Sequence, residues 1–550
     1  MKRTKWFFVA ALAAVLLAAP DTTHATDDAA AKTAADKSAD KDKAAEKAAP
    51  VDVTTQGEVN AGGQHIAYNA IAGTITVGAT DIQDAQLGLD GKPQADSQLA
   101  AAAPKEWKDA DPTARMFYVA YFKKDAKAED RPITFFYNGG PGSSTVWLHM
   151  GSLGPKHVVT DMDTHLPAAP YKMVDNASSL LDVSDLVFID MPGTGFGRLL
   201  GKEPEKAFWG IDEDANAFAR FIVRFTTKYN RWNSPKYIFG ESYGTTRSAV
   251  LADILENGKS MDINGVILLS QIFNFTTDID MPMGNPGVDL PYVLALPTYA
   301  ATAWYHKKLP TQPAALEPFL KEVEEYTNGP YAHALALGTD LGAEEKQAVA
   351  EKLHGYTGLP VAYLLKANLR VSGGEFEKTL QDDQDITTGR LDTRFSGPTI
   401  DPLSQFADYD PQSSAISSAY VSLFNDYVRR DLKYGEGQTY LPEAQFGAAQ
   451  WDFKHRGNPI SVNVAIDMAE AMKTNPRLKV MVNGGYYDLA TPFFAAQYEE
   501  KHLPIPQSLA KNIEYDWYES GHMVYVRDES LKQLHDRVAA FITKTDKDGK

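Results

Sequence analysis

Along much of the chain, apolar residues gather in short runs that stop abruptly at glycine. Ile133–Tyr137 leads into Asn138-Gly-Gly-Pro-Gly142, Leu186–Ile189 into Asp190-Met-Pro-Gly-Thr-Gly195, and Lys236–Phe239 into Gly240-Glu-Ser-Tyr-Gly244. Runs with no polar alternation predict strands covered on both faces, and the glycines predict loops opening at their carboxyl ends. Ala114–Phe122 is apolar on both alternating sets, as a central strand should be, and His65–Val77 is β-rich and punctuated by glycine. Val266–Leu269, Leu478–Val482 and Ile513–Tyr518 complete the expected strands. Between them the period changes to that of helices. Val250, Leu251, Ile254 and Leu255 form one apolar side of a helix ending near Gly258. Val464, Met468 and Met472 mark a second, and Leu531, Leu534, Val538 and Phe541 a third.

This alternation predicts an α/β core with a mixed, mostly parallel sheet flanked by helices. Residues 286–455 turn helical and irregular, with aromatics, prolines and acidic stretches such as Gln381-Asp-Asp-Gln-Asp385, so they read as a cap inserted between core segments 56–285 and 456–545. Residues 26–55 are rich in Ala, Lys, Asp and Glu and poor in large apolar side chains, which predicts a solvated, disordered tether. Residues 1–25 read as an export signal: Lys2, Arg3 and Lys5 precede the apolar run Trp6–Ala19, and small residues follow up to Ala25. That run is shorter than the roughly 20 residues of a membrane span. The expectation is an exported protein, periplasmic or extracellular, with no stable membrane insertion once the signal is removed.

Composition narrows the chemistry. The 550 residues include no cysteine, which excludes a disulfide scaffold, a thiolate metal centre and a cysteine hydrolase. The net charge of -18 comes with no basic stripe, so nucleic acid is not an expected partner. The acidic excess lies beyond residue 50 and serves solubility. No His-Glu-x-x-His or comparable cluster suggests a metal, and no cofactor is implied. Gly258-Lys-Ser260 ends like a phosphate loop, but Asp253 stands where the leading glycine belongs, and Gly193-Thr-Gly-Phe-Gly197 lacks the dinucleotide spacing.

Gly240-Glu241-Ser242-Tyr243-Gly244 matches G-x-S-x-G between a predicted strand and a predicted helix, the context in which a serine sits on a sharp, exposed turn. A serine hydroxyl needs a base to take its proton and a carboxylate to orient that base. In the order serine, acid, histidine, Asp488 follows one late strand and His522 the next. Of the other histidines, His24 lies in the export segment and His65 in a strand, His149 and His157 precede the serine, and His306, His333 and His354 fall in the cap. Stabilising an oxyanion requires preset amides; the N–H groups of Gly140 and Tyr243 are the candidates.

Taken together, Asn138-Gly-Gly-Pro-Gly-Ser-Ser144, Asp190-Met-Pro-Gly-Thr-Gly-Phe196, Gly240-Glu-Ser-Tyr-Gly244, Gly485-Tyr-Tyr-Asp488 and Gly521-His-Met523 resemble the serine carboxypeptidase family. The resemblance covers about residues 110–275 and 460–545. It implies an α/β-hydrolase fold with a cap, Ser242, Asp488 and His522 as the triad, and peptides as substrates that lose their C-terminal residues. It further implies that Asn138, Gly139 and Glu241 bind the substrate's terminal carboxylate. Two carboxyls in contact repel when both are ionised and share a strong hydrogen bond when one keeps its proton, so Glu241 should favour acidic pH. Two departures stand out. Ser152 occupies the position before Leu-Gly-Pro where the family usually has a second Glu, and Ser143 stands where eukaryotic members commonly have Cys. A cysteine-free exported chain suits a bacterial member. The Ser152 replacement keeps an esterase or acyltransferase using the same triad as an alternative, with a catalytically silent binding protein as a third reading. The sequence carries no signal of oligomeric state.

Overall fold

The structure, a computed structural model, describes residues 51–98, 109–445, 450–457 and 462–548. The expected export signal and most of the expected tether lie outside these residues. In chain order, the main sheet comprises β1 (Val53–Ala61), β2 (Gln64–Gly78), β3 (Thr113–Lys123), β4 (Ile133–Tyr137), β5 (Asp185–Ile189), β6 (Lys236–Glu241), β7 (Gly265–Leu269), β8 (Lys479–Gly485) and β9 (Ile513–Tyr518). Its spatial order is β1-β2-β3-β5-β4-β6-β7-β8-β9, with the short strand Arg198–Leu200 also paired to β3. The first three strands and the β3–β5 pair are antiparallel. From β5 onward every pairing is parallel.

The helices used below are α1 (Val146–Gly151), α2 (Ile211–Lys228), α3 (Tyr243–Asp253), α4 (Leu290–Tyr305), α5 (Leu316–Tyr326), α6 (Ala343–Thr357), α7 (Pro411–Arg430), α8 (Ala465–Thr474), α9 (Phe493–Lys501) and α10 (Asp528–Asp548). Both faces of the sheet are covered, which is why its strands read as continuous apolar runs. Phe117, Val119, Phe136, Phe239 and Ile267 pack on one face with Leu148 of α1, Phe424 of α7 and Leu534 and Val538 of α10. Their neighbours Tyr118, Phe135, Ile238 and Val266 pack on the other with Phe218 of α2, Val250 of α3 and Met468 of α8. Burying a large apolar side chain contributes about 1.5–3 kcal/mol, so this double layer holds the loop-bearing edge rigid.

The strand expectations held at their centres and shifted at their ends. Asn483, Gly484 and Gly485, read as a loop, continue β8 because they pair with Asp516, Trp517 and Tyr518. Glu241, read as part of the serine turn, is the last residue of β6, paired with Leu269. The helix expected to end at Gly258 does so through a widened turn, Ile254–Gly258, after α3. β1 begins at Val53, inside the span expected as tether, and is held by a continuous antiparallel register from Val53↔Ala72 to Ala61↔Gln64.

The inserted segment packs in two parts. Val293, Leu294, Phe319, Leu320 and Leu353 of α4, α5 and α6 form their own cluster, closed by Leu489 and Phe493 from the core. α7 lies instead against the main sheet, through Ala419, Phe424 and Tyr427. Among the described residues no helix is long and apolar enough to cross a membrane. The parallel sheet with flanking helices, the split core and the strand-turn-helix at Ser242 define an α/β-hydrolase fold.

Candidate active site

Strand order positions the site. β4 lies between β5 and β6, so the chain leaves β4 in one direction for β5 and later returns on its other side with β6. The loops after β4 and β6 therefore open side by side, at the switch point where such sheets place ligands. A Cβ on Gly139 would meet the Tyr243 amide nitrogen at 2.4 Å and the Glu241 carbonyl at 2.7 Å, so glycine is what allows the two loops to touch.

Ser242 occupies the turn between β6 and α3 with φ 61° and ψ -131°, a conformation that costs a non-glycine residue about 1–3 kcal/mol and clusters at functional sites. Its amide donates to Leu269 O (2.9 Å), and its carbonyl accepts from Thr245 N (2.7 Å). The turn is tight enough that a Cβ on Gly240 would lie 2.2 Å from Gly244 O. Ser242 itself is half-buried. Among the described residues, neither Gly140 N–H nor Tyr243 N–H has a backbone acceptor.

Asp488 and His522, far apart in sequence, are brought together by the adjacent strands β8 and β9. His522 Nδ1–H donates to Asp488 Oδ2 at 2.8 Å. Asp488 is fully buried and His522 is 5% exposed. Thr491 completes the arrangement: its amide donates to Asp488 Oδ1 (2.9 Å) and its hydroxyl to Asp488 Oδ2 (2.7 Å). Burial opposes a charge on His522, but the Asp488 carboxylate more than offsets it, and the imidazole's pKa is raised above its ordinary value. An imidazole so supported can hold a proton taken from a hydroxyl. No hydrogen bond joins Ser242 Oγ to His522 among the described residues; the two are connected through β7, where Ser270 Oγ donates to His522 O (2.7 Å) just after Leu269 receives the Ser242 amide.

The inserted segment pins this acid–base pair. Leu489 N donates to Arg390 O (3.1 Å), His522 N to Leu391 O (2.6 Å), and Thr393 N to Tyr487 O (2.9 Å). Gly521 N donates to the Asp392 carboxylate at 3.1 Å, which Arg394 grips through Nε (2.9 Å) and Nη2 (2.5 Å). Arg394 also reaches Ser520 Oγ at 3.1 Å. A Cβ on Gly521 would lie 2.4 Å from Asp392 Cβ. Thr491, Asp392 and Arg394 went unread in the sequence; only the closeness of Thr491 to Asp488 gives a signal.

Asn138, Gly139 and Glu241 also converge. Asn138 Oδ1 accepts from Leu148 N (3.0 Å), and its carbonyl accepts from Arg247 Nη1 (2.7 Å). Arg247, wholly buried, pairs with Asp214 at 2.6 Å, so α3 reaches back to fix the loop its own turn faces. Burial pushes the Glu241 carboxyl up to about 7, against the pull of His522, of a Tyr525 hydrogen bond and of Asn138. Ser152 is fully buried, and its hydroxyl donates to Leu148 O at 2.6 Å. Ser143 donates to Glu443 Oε1 at 3.0 Å, while Ser144 N donates to Pro442 O (2.8 Å) and Ala444 N to Gly142 O (2.7 Å). A hydrogen-bonded seam thus joins the two loops at Ser143. His149, set aside above, is buried against Tyr121 OH at 2.6 Å, and burial alone lowers its pKa to about 3. Among the described residues no three His, Asp or Glu side chains converge as a metal site.

The serine on its strained turn, the buried acid–histidine pair and the converging glycine loop lie together at the carboxyl ends of neighbouring strands. The sequence profile described as serine carboxypeptidase matches residues 107–535, and the chain belongs to that family. A serine carboxypeptidase-like protein of Oryza sativa subsp. japonica is 30% identical over 132 residues, 24% of this chain and 28% of the relative. The pheromone-processing carboxypeptidase KEX1 of Yarrowia lipolytica is 24% identical over 145 residues, 26% of this chain and 22% of the relative. The chain thus spans about a quarter of the length of these relatives. Among solved structures, proline iminopeptidase of Mycobacterium smegmatis is similar with a TM-score of 0.34 and 13% identity, covering 80% of this chain and 97% of that one.

Proposed function

We propose that the protein is a serine carboxypeptidase that removes C-terminal residues from peptides through an acyl-enzyme. Ser242 attacks the scissile carbonyl, His522 takes its proton and returns it to the leaving amine, and Asp488 holds the imidazole in the required tautomer. The N–H groups of Gly140 and Tyr243 receive the oxyanion. Water, activated by His522, then releases the shortened peptide and restores Ser242. The 2.8 Å contact between His522 and a fully buried Asp488, at the sheet edge that carries Ser242, is the observation on which this reading rests.

Recognition of the chain end falls to Asn138, Gly139 and Glu241. A peptide's terminal carboxylate is ionised above about pH 3.5. With its carboxyl pushed up to about 7, Glu241 below that pH keeps a proton to donate to the incoming carboxylate; above it, two anions face each other. KM for peptides with a free C-terminus should therefore rise as pH increases through about 7. Steady-state assays from pH 5 to 8, on matched peptides with free and amidated C-termini and on a simple ester, test the proposal. Preference for the free carboxylate, strongest at acidic pH, is expected, and Glu241→Gln should shift that pH profile, because its amide stays neutral and donates at every pH. Equal turnover of all three substrates, or a ratio of kcat/KM on free to amidated peptides that stays flat or climbs from pH 5 to 8, would refute it, since the ratio cancels the titration of His522 common to both.

A further inference from the structure

The Ser152 hydroxyl is committed to Leu148 O. The partner that faces Glu241 comes from the other side of the site, three residues beyond His522: Tyr525 OH donates to Glu241 Oε2 at 2.9 Å. Tyr525 is fully buried, and glycine makes room for its ring, since a Cβ on Gly151 would lie 2.7 Å from Tyr525 Cδ2 and 2.5 Å from Tyr420 OH. We propose, building on the carboxypeptidase reading above, that Tyr525 is a positioning residue for chain-end recognition, supplying to Glu241 the hydrogen bond that a second carboxyl would otherwise share.

The consequence is chemical. Two carboxyls in contact exchange a proton between them and titrate as a coupled pair. A tyrosine hydroxyl buried beside a carboxylate does not ionise in the working range, and the Tyr525 pKa is driven well above its ordinary value, first by burial and then by Glu241. The subsite then holds one exchangeable proton. The other groups facing Glu241 are His522, Asp488 and Asn138 and the Tyr420 hydroxyl of α7. Tyr420 OH, although buried beside the same glycine, has no hydrogen-bond partner among the described residues, so it serves as an internal comparison: a phenol of the same pocket that does not hold Glu241.

The test measures KM against pH for a peptide with a free C-terminus and for its amide. In the wild-type chain, log KM for the free peptide should climb with a slope of one above about pH 7, as for a single proton. Tyr525→Phe removes a donor that favours the charged carboxylate, so the climb should move to higher pH. Tyr420→Phe should leave the climb in place. Replacing Tyr525 with 3,5-difluorotyrosine, which keeps the ring and strengthens the donor, should move it to lower pH, and this variant decides the matter if Tyr525→Phe does not fold. An unmoved climb in both Tyr525 variants, an equal movement in Tyr420→Phe, or a slope of two would overturn the inference. Failure of the wild-type chain to prefer the free carboxylate would instead overturn the carboxypeptidase reading itself.

Discussion

The Asp488–His522 pair and the pocket of Glu241 share one edge of one sheet, yet they are held in different ways. Around Asp488 and His522, Thr491 and Ser270 bond from the core, while Arg390, Leu391, Asp392 and Thr393 bond from the inserted segment. Around Glu241, the Tyr525 hydroxyl donates to one carboxylate oxygen and Asn138 bonds beside it, while a second buried hydroxyl, that of Tyr420, stays unpaired among the described residues. Dense bonding fixes geometry; a sparse, desolvated pocket leaves a carboxyl free to change its proton near neutrality. Under the proposed function, positioning falls to many contacts and recognition to the carboxyl of Glu241.

The comparison breaks hardest at the serine. Ser242→Ala should lower kcat by about 10⁵- to 10⁶-fold in steady-state assays, as loss of a nucleophile does elsewhere. Asp488→Asn should lower it by about 10³- to 10⁴-fold with the fold retained, because an amide cannot hold the tautomer in which Nε2 accepts a proton. Asp392→Asn weakens the clamp without touching the substrate; a drop in kcat of about ten- to a hundredfold with KM unchanged is expected, since small displacements of a reacting group are costly. An effect of Asp392→Asn on KM alone would show that the inserted segment shapes binding rather than the acid–base pair. The smallest effects belong to the recognition pocket, where Glu241→Gln and Tyr525→Phe should alter the pH dependence of KM.

The parts that were legible in the sequence are those in which one segment carries its own signal. Strands covered on both faces declare themselves as unbroken apolar runs, and Ile133–Tyr137 and Ile513–Tyr518 have the observed limits. The G-x-S-x-G turn is readable because its glycines meet neighbouring backbone, as Gly240 meets Gly244 O. β1 was lost because its sequence, Val-Thr-Thr-Gln-Gly-Glu-Val-Asn-Ala, alternates with polar residues and only its last turns are buried; its evidence lies in β2. Asp392 and Arg394 were silent for a similar reason. They act on Gly521 and Ser520, more than a hundred positions away, and no local period records such a contact. Tyr525 was hidden differently, in plain view beside His522, since its meaning depends on the fold bringing Glu241, from a distant strand, against it.

One covalent experiment reaches the centre of this account. The purified protein is treated with an organophosphonate, its intact mass is measured and the modified peptide is mapped. A single phosphonyl group on Ser242, formed in step with loss of peptidase activity and absent from Ser242→Ala, is the predicted result. Stoichiometric modification at another residue, or peptidase activity that survives complete labelling of Ser242, would contradict it.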